Sequence, residues 1–244
     1  SKCATIEGYI EDNGRIVYAD RAVTSLTELD YKTFSKFYKW KNCRIFNFRR
    51  FKKGYLPKDL ILSVLKFYGD KTKLKGVEGK EVEYLNSKEN ANSTYGMMVT
   101  DICRDEIVYT DEWDTMPADI DEIISRYNKS RNRFLYYPWG VWITAYARYN
   151  LFSGILAFGN DYVYSDTDSV KVRNYKKHIK YIQFYNKVVK YKLDMCLSHY
   201  GIPTELTAPK TIKGVTKQLG EWDDEGMYSR FKTLGAKRYM TEKD

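Results

Sequence analysis

Between positions 161 and 173, β-forming residues flank a short polar centre, Tyr164-Ser165-Asp166-Thr167-Asp168-Ser169-Val170. Aspartate and serine suit a turn while tyrosine and valine suit half-buried strands, so this stretch is expected to close as a β-hairpin. Helical patterns bracket it. Residues 136–158 are apolar and aromatic and are expected to pack as a long buried helix after Gly140. Residues 178–200 set Ile179, Ile182, Val189, Leu193 and Leu197 at helical spacing, and Gly201 is expected to stop that helix. Four further helices are expected: over 27–40, from Pro57 to Gly69, over 78–94 and over 117–132. Helices alternating with hairpins imply an α+β fold.

At 244 residues and 28.8 kDa the chain makes one large domain or two small ones, with enough core to need no disulfide or metal staple. The four cysteines, Cys3, Cys43, Cys103 and Cys196, are far apart with no CxxC pair, and His178 and His199 are the only histidines. A disulfide framework or a structural zinc is therefore not expected. No charged-then-apolar signal peptide and no long uncharged apolar run is recognised, so an intracellular, cytoplasmic protein with no membrane partner is expected. The net charge of +9 favours a polyanionic partner. Its distribution says more. Residues 36–53 carry eight cations and no carboxylate, interleaved with Phe37, Tyr38, Trp40, Phe46, Phe48 and Phe51, a composition suited to phosphates. Residues 101–122 carry nine carboxylates against Arg104 alone. Both runs are also what two solvated faces would carry.

Asp166 and Asp168, separated by one residue at a tight turn, point toward common space, where a divalent cation relieves their repulsion. Hard carboxylate oxygens suit magnesium, and two such ions can support an in-line phosphoryl transfer. An ordinary turn also carries aspartates. In Lys88-Glu89-Asn90-Ala91-Asn92-Ser93-Thr94-Tyr95-Gly96, the residues Lys88, Asn92 and Tyr95 stand at i, i+4 and i+7 on one helical face. The cation suits phosphates and the ring suits a base or sugar. A polar helix face is the plainer alternative.

Together these blocks resemble family B DNA polymerases, whose fingers helix carries K-x-x-x-N-S-x-Y-G and whose palm hairpin carries Y-x-D-T-D-S, in this order. Two further elements resemble the protein-primed branch of bacteriophages and linear plasmids. Residues 137–148 resemble its T-x-x-(G/A)-R element, through Thr144 and Arg148, and Lys237-Arg238-Tyr239 resembles its K-x-Y element. The resemblance runs from about Gly14 to Met240. It implies a polymerase palm, an antiparallel sheet with packed helices, plus helical fingers. It implies two Mg²⁺ ions, with Mn²⁺ as an alternative, held by Asp166 and Asp168, and Asp168 as the main ligand.

The resemblance further implies nucleotide contacts from Lys88, Asn92, Tyr95 and Lys75, and DNA contacts from Thr144, Arg148, Lys237 and Tyr239. The implied partners are primer-template DNA, dNTP and a terminal or priming protein. Residues 1–55 would form an insertion between the first palm block and the fingers, contacting priming protein and DNA with Arg49 and Arg50 among its cations. Residues 56–97 would be fingers, 98–133 a second insertion and 134–244 palm core. Relatives form a hairpin in that second insertion that closes over the template and supports strand displacement, a role the acidic and partly helical sequence here argues against. The family's upstream D-x-x-S-L-Y-P block is not found, Asp20 being its nearest approach, and neither an exonuclease domain nor a thumb is recognised. A fragment inactive by itself is therefore expected.

Two other classes remain. Reverse transcriptases and RNA polymerases usually place adjacent aspartates in the hairpin, which the intervening Thr167 argues against. A non-catalytic module binding nucleic acid or a partner is the stronger rival.

Overall fold

The computed structural model describes residues 4–12, 15–134, 136–235 and 237–243, so Cys3 and Gly14 lie outside the described residues. In chain order the elements are β1 (Ala4–Asp12), β2 (Arg15–Thr24), α1 (Glu28–Phe34), α2 (Lys58–Leu74), α3 (Glu81–Gly96), β3 (Glu106–Tyr109), β4 (Trp113–Met116), α4 (Ile120–Lys129), α5 (Tyr137–Phe158), β5 (Tyr162–Asp166), β6 (Ser169–Val172), α6 (Ile179–His199), β7 (Arg230–Gly235) and β8 (Arg238–Glu242). With 44% helix and 20% strand, the fold is α+β. The strands form four two-stranded antiparallel ribbons, β1–β2, β3–β4, β5–β6 and β7–β8. No helix among the described residues is long and apolar enough to cross a membrane. Cys43, Cys103 and Cys196 are free thiols.

The chain divides into two compact units. The first comprises Ser1–Tyr55, Ala145–Thr204 and Gln218–Asp244. Its core is built on α5 and α6: Ala145, Phe158, Leu197 and Ile202 are buried, and Phe158 meets Tyr181 and His178 edge-on at 5.7 and 5.1 Å. Gly201 stops α6 as expected, at φ +62°, where a side chain would be strained. The Ile202 and Gly201 amides donate to the Leu197 and Ser198 carbonyls, at 3.0 and 3.2 Å, which completes a Schellman cap. From α6, Asn186 binds the main chain of Trp222 at both its N–H and its C=O, at 2.9 and 3.0 Å.

The second unit comprises Leu56–Thr144 and Glu205–Lys217. In it α2 packs on α3, burying Ile61, Leu65, Thr72 and Ser87. The sequence suggested that α2 stops at Gly69, yet it runs to Leu74. Gly69 keeps a helical φ, because the buried stripe continues beyond it to Thr72, and the left-handed φ falls instead at Gly76, +78°. Conversely, α1 ends at Phe34, well short of residue 40. The Phe37 and Trp40 rings turn away to meet Phe152 at 4.9 Å and Tyr31 at 5.6 Å, and that packing outweighs helix continuation. Residues 106–116 form a hairpin, β3–β4. Strand-forming Ile107, Val108, Trp113 and Thr115 prevail there, and Tyr109 and Trp113 face each other across the turn at 5.2 Å. The N-terminal β1–β2 ribbon had no counterpart in the expected elements.

Candidate functional site

The β5–β6 hairpin pairs Asp166 with Ser169, leaving Thr167-Asp168 as a two-residue turn. Thr167 adopts φ +50°, a left-handed conformation that a β-branched residue enters only at a cost of about 1–2 kcal/mol. The turn is held locally. The Thr167 hydroxyl donates to Asp166 Oδ1 at 3.0 Å and the Ser169 hydroxyl to the Asp166 carbonyl at 3.2 Å. Asp166 is half-buried and Asp168 exposed.

At the base of the hairpin the Asp161 carboxylate accepts a hydrogen bond from Asn174 at 2.8 Å and pairs with His178 Nε2 at 2.9 Å. These two contacts, the Asn174 bond the larger, hold the Asp161 carboxyl below its ordinary value. They tie the hairpin to the start of α6.

On strand β5, alternation places Tyr164 and Asp166 on one face. Tyr164 is buried, its ring 5.4 Å from Phe231 and 5.2 Å from Tyr239, and its hydroxyl accepts the Lys237 amide N–H at 2.8 Å. Phe231 and Tyr239 stack on each other at 5.4 Å. The hairpin carrying the two aspartates thus abuts the β7–β8 ribbon carrying Lys237 and Tyr239, within the first unit. Lys237 sits at φ +60° in the ribbon's turn, with an exposed side chain.

Among the described residues no group of three His, Cys, Asp or Glu side chains is placed to hold a metal. Asp20, the candidate upstream aspartate, lies on β2 and accepts the Tyr18 hydroxyl at 2.8 Å. If a divalent ion bound here, Asp166 and Asp168 would be the residues to hold it, through hard carboxylate oxygens.

Arg148 has a partner that sequence reasoning missed. Its Nε and Nη2 fork the Asp30 carboxylate at 2.8 and 3.0 Å, tying α5 to α1 within the first unit. Asp30 is 3% exposed and also closes the capping box of α1 with Thr27. Burial pushes its carboxyl up, but the hydrogen bonds and charge of Arg148, with those of Thr27, outweigh burial and hold it low. The Thr-x-x-Asp spacing of Thr27 and Asp30 was a readable cap signal, whereas nothing local pointed to Arg148. Thr144, four residues earlier on α5, turns its hydroxyl to the Gly140 and Val141 carbonyls at 3.2 and 2.9 Å.

In the second unit, Lys88, Asn92 and Tyr95 lie on α3 with the expected one-face spacing. Lys88 and Asn92 are exposed and without a hydrogen-bond or ion-pair partner among the described residues, and Tyr95 is half-buried. Lys75 caps the C-terminal end of α2, where a cation also complements the helix dipole. Arg49 and Arg50 lie exposed in the segment between α1 and α2. A scan against protein-family models and searches of curated proteins and of solved structures return no match.

Proposed function

We propose that this chain carries palm and fingers elements of a DNA-directed DNA polymerase of the protein-primed family B type, which transfers nucleotides to a primer terminus. The observation that supports the reading most is the contact of Tyr164 with Lys237 and Tyr239. It joins the Y-x-D-T-D-S and K-x-Y elements, whose contacting residues Tyr164 and Lys237 are 73 positions apart. The strained turn at Thr167 supports it too, since left-handed β-branched residues persist where the surroundings impose them and cluster at functional sites.

In this reading Asp168 is the principal metal ligand and Asp166 the second. Bound Mg²⁺ would activate the primer 3′-hydroxyl and neutralise the departing pyrophosphate. Lys88, with Lys75, offsets triphosphate charge, which matters because phosphoryl transfer is catalysed by positioning and electrostatics. Asn92 and Tyr95 position the nucleotide. Lys237 and Tyr239 steady the primer terminus beside the aspartate hairpin, and Arg49 and Arg50 contact backbone phosphates. Arg148 braces α5 against α1 and offers DNA only the part of its guanidinium left open by Asp30.

Mn²⁺ binding followed by electron paramagnetic resonance tests the carboxylates, and primer extension with Mg²⁺ or Mn²⁺ tests the chemistry. Asp168→Asn is expected to abolish Mn²⁺ binding; equal binding by wild type and variant overturns the ligand assignment. Because the family's upstream D-x-x-S-L-Y-P aspartate is not recognised in the sequence, the 244-residue chain is expected to show no extension by itself. Extension that disappears in Asp168→Asn upholds the polymerase reading and places a further ligand elsewhere. Extension that survives the substitution refutes the site. A non-catalytic nucleic-acid or partner-binding module is the second reading, favoured by the exposed cations Arg44, Arg49, Arg50 and Lys52, which have no ion pair or hydrogen bond among the described residues. DNA binding with no Mn²⁺ binding would establish it.

A further inference from the structure

The segment between α1 and α2 is tethered at both ends within the first unit. At its start Phe37 meets Phe152 at 4.9 Å, Trp40 meets Tyr31 at 5.6 Å, and the Tyr38 hydroxyl donates to the Ile16 carbonyl at 3.1 Å. At its end Tyr55 stacks on His199 at 4.0 Å. Between these anchors the chain forms neither helix nor strand. There Phe46, Phe48 and Phe51 are 57%, 75% and 56% exposed. None of the three has a ring partner among the described residues. Arg44, Arg49, Arg50 and Lys52 interleave with them, likewise without an ion pair or hydrogen bond.

Exposed apolar side chains occur elsewhere on this chain, Trp113 at 76% and Ile107 at 74% among them, so exposure alone does not mark this segment; what marks it is that three phenyl rings without ring partners alternate with four unpaired cations over residues 44–52. Resting on the reading of this segment as nucleic-acid-facing, we infer that residues 44–52 form a platform selective for single-stranded over duplex nucleic acid, with Phe46, Phe48 and Phe51 stacking on bases and the cations holding phosphates. The selectivity follows from which surfaces are open. Phosphates are accessible in both forms, so the cations bind both. Base faces in a duplex are covered by their neighbours, and only a single strand offers them to aromatic rings. An anionic membrane is the other polyanion that basic aromatic segments can meet. Here the segment is not helical, so its rings are not gathered on one apolar face as in an interfacial helix.

The test compares binding of labelled oligo-dT and of a blunt duplex of equal length, by fluorescence anisotropy at several salt concentrations. It uses the 244-residue chain, the combined variant Phe46→Leu, Phe48→Leu, Phe51→Leu, and the variant Arg49→Gln, Arg50→Gln. Leucine keeps apolar character but has no π-face. We expect oligo-dT to bind about ten-fold or more tighter than duplex in wild type and the leucine variant to lose that preference, with duplex affinity unchanged within about two-fold. The glutamine variant should weaken both ligands alike and flatten the salt dependence. Equal binding of the two ligands by wild type, unaltered in the leucine variant, overturns the platform while leaving the cation reading intact. No binding of either at low salt overturns both. Phosphatidylserine vesicles that displace oligo-dT from wild type and from the leucine variant equally identify a lipid surface and also overturn it. Should circular dichroism show the combined variant unfolded, Phe48→Leu alone must still lower oligo-dT affinity selectively, and its failure to do so counts against the platform.

Discussion

Replacing Arg148 by alanine separates its bracing role from a purely DNA-contacting one. Asp30 is 3% exposed, so without the guanidinium its carboxylate stays desolvated with its main counter-charge gone. Breaking a fully buried pair in this way costs about 3–5 kcal/mol. Two features reduce the figure here. Thr27 continues to donate its hydroxyl and amide to Asp30, at 2.9 and 3.4 Å, and the Arg148 side chain is 40% exposed, so water can reach the vacated position. About 2–3 kcal/mol is the expected loss, read by urea unfolding monitored by circular dichroism. Asp30→Asn, which removes the charge along with the pair, should cost less, and the double variant should be less destabilised than the two single effects added together.

The pH dependence has a definite sign. A carboxyl whose folded pKa lies below its unfolded one contributes fully above the unfolded value, near 3.9, and the contribution fades as pH falls through the folded value. The stability gap between wild type and Arg148→Ala should therefore be full at neutral pH and shrink in acid. A loss under about 0.5 kcal/mol at neutral pH, or additive single variants, would refute this account and return Arg148 to DNA contact alone.

Two further outcomes follow from the geometry. A Cβ added at Gly140 would lie 2.1 Å from Val99 Cγ1, so Gly140→Ala should destabilise the second unit by about 1–3 kcal/mol despite alanine's better helix propensity, measured by thermal unfolding. Because Asp161 is held below its ordinary pKa by Asn174 and His178, Asp161→Asn should remove part of the wild type's loss of stability as pH falls below about 4, and an unchanged acid-unfolding profile would contradict the clamp.

The sequence by itself determined what is encoded within a few residues. The turn at Thr167-Asp168, the stop at Gly201 and the single face shared by Lys88, Asn92 and Tyr95 depend on local turn chemistry and helical period, and all three lie where those rules put them. Tertiary structure decided where burial competed with local signals. Gly69 reads as a stop, but the stripe reaching Thr72 carries α2 past it, and ring packing ends α1 before its periodicity does. Most of all, the resemblance gave Arg148 a DNA contact, while its observed partner Asp30 stands 118 positions away. Period and composition assign a charge to a face, but whether that charge is free depends on which opposite charge the fold has taken out of water beside it.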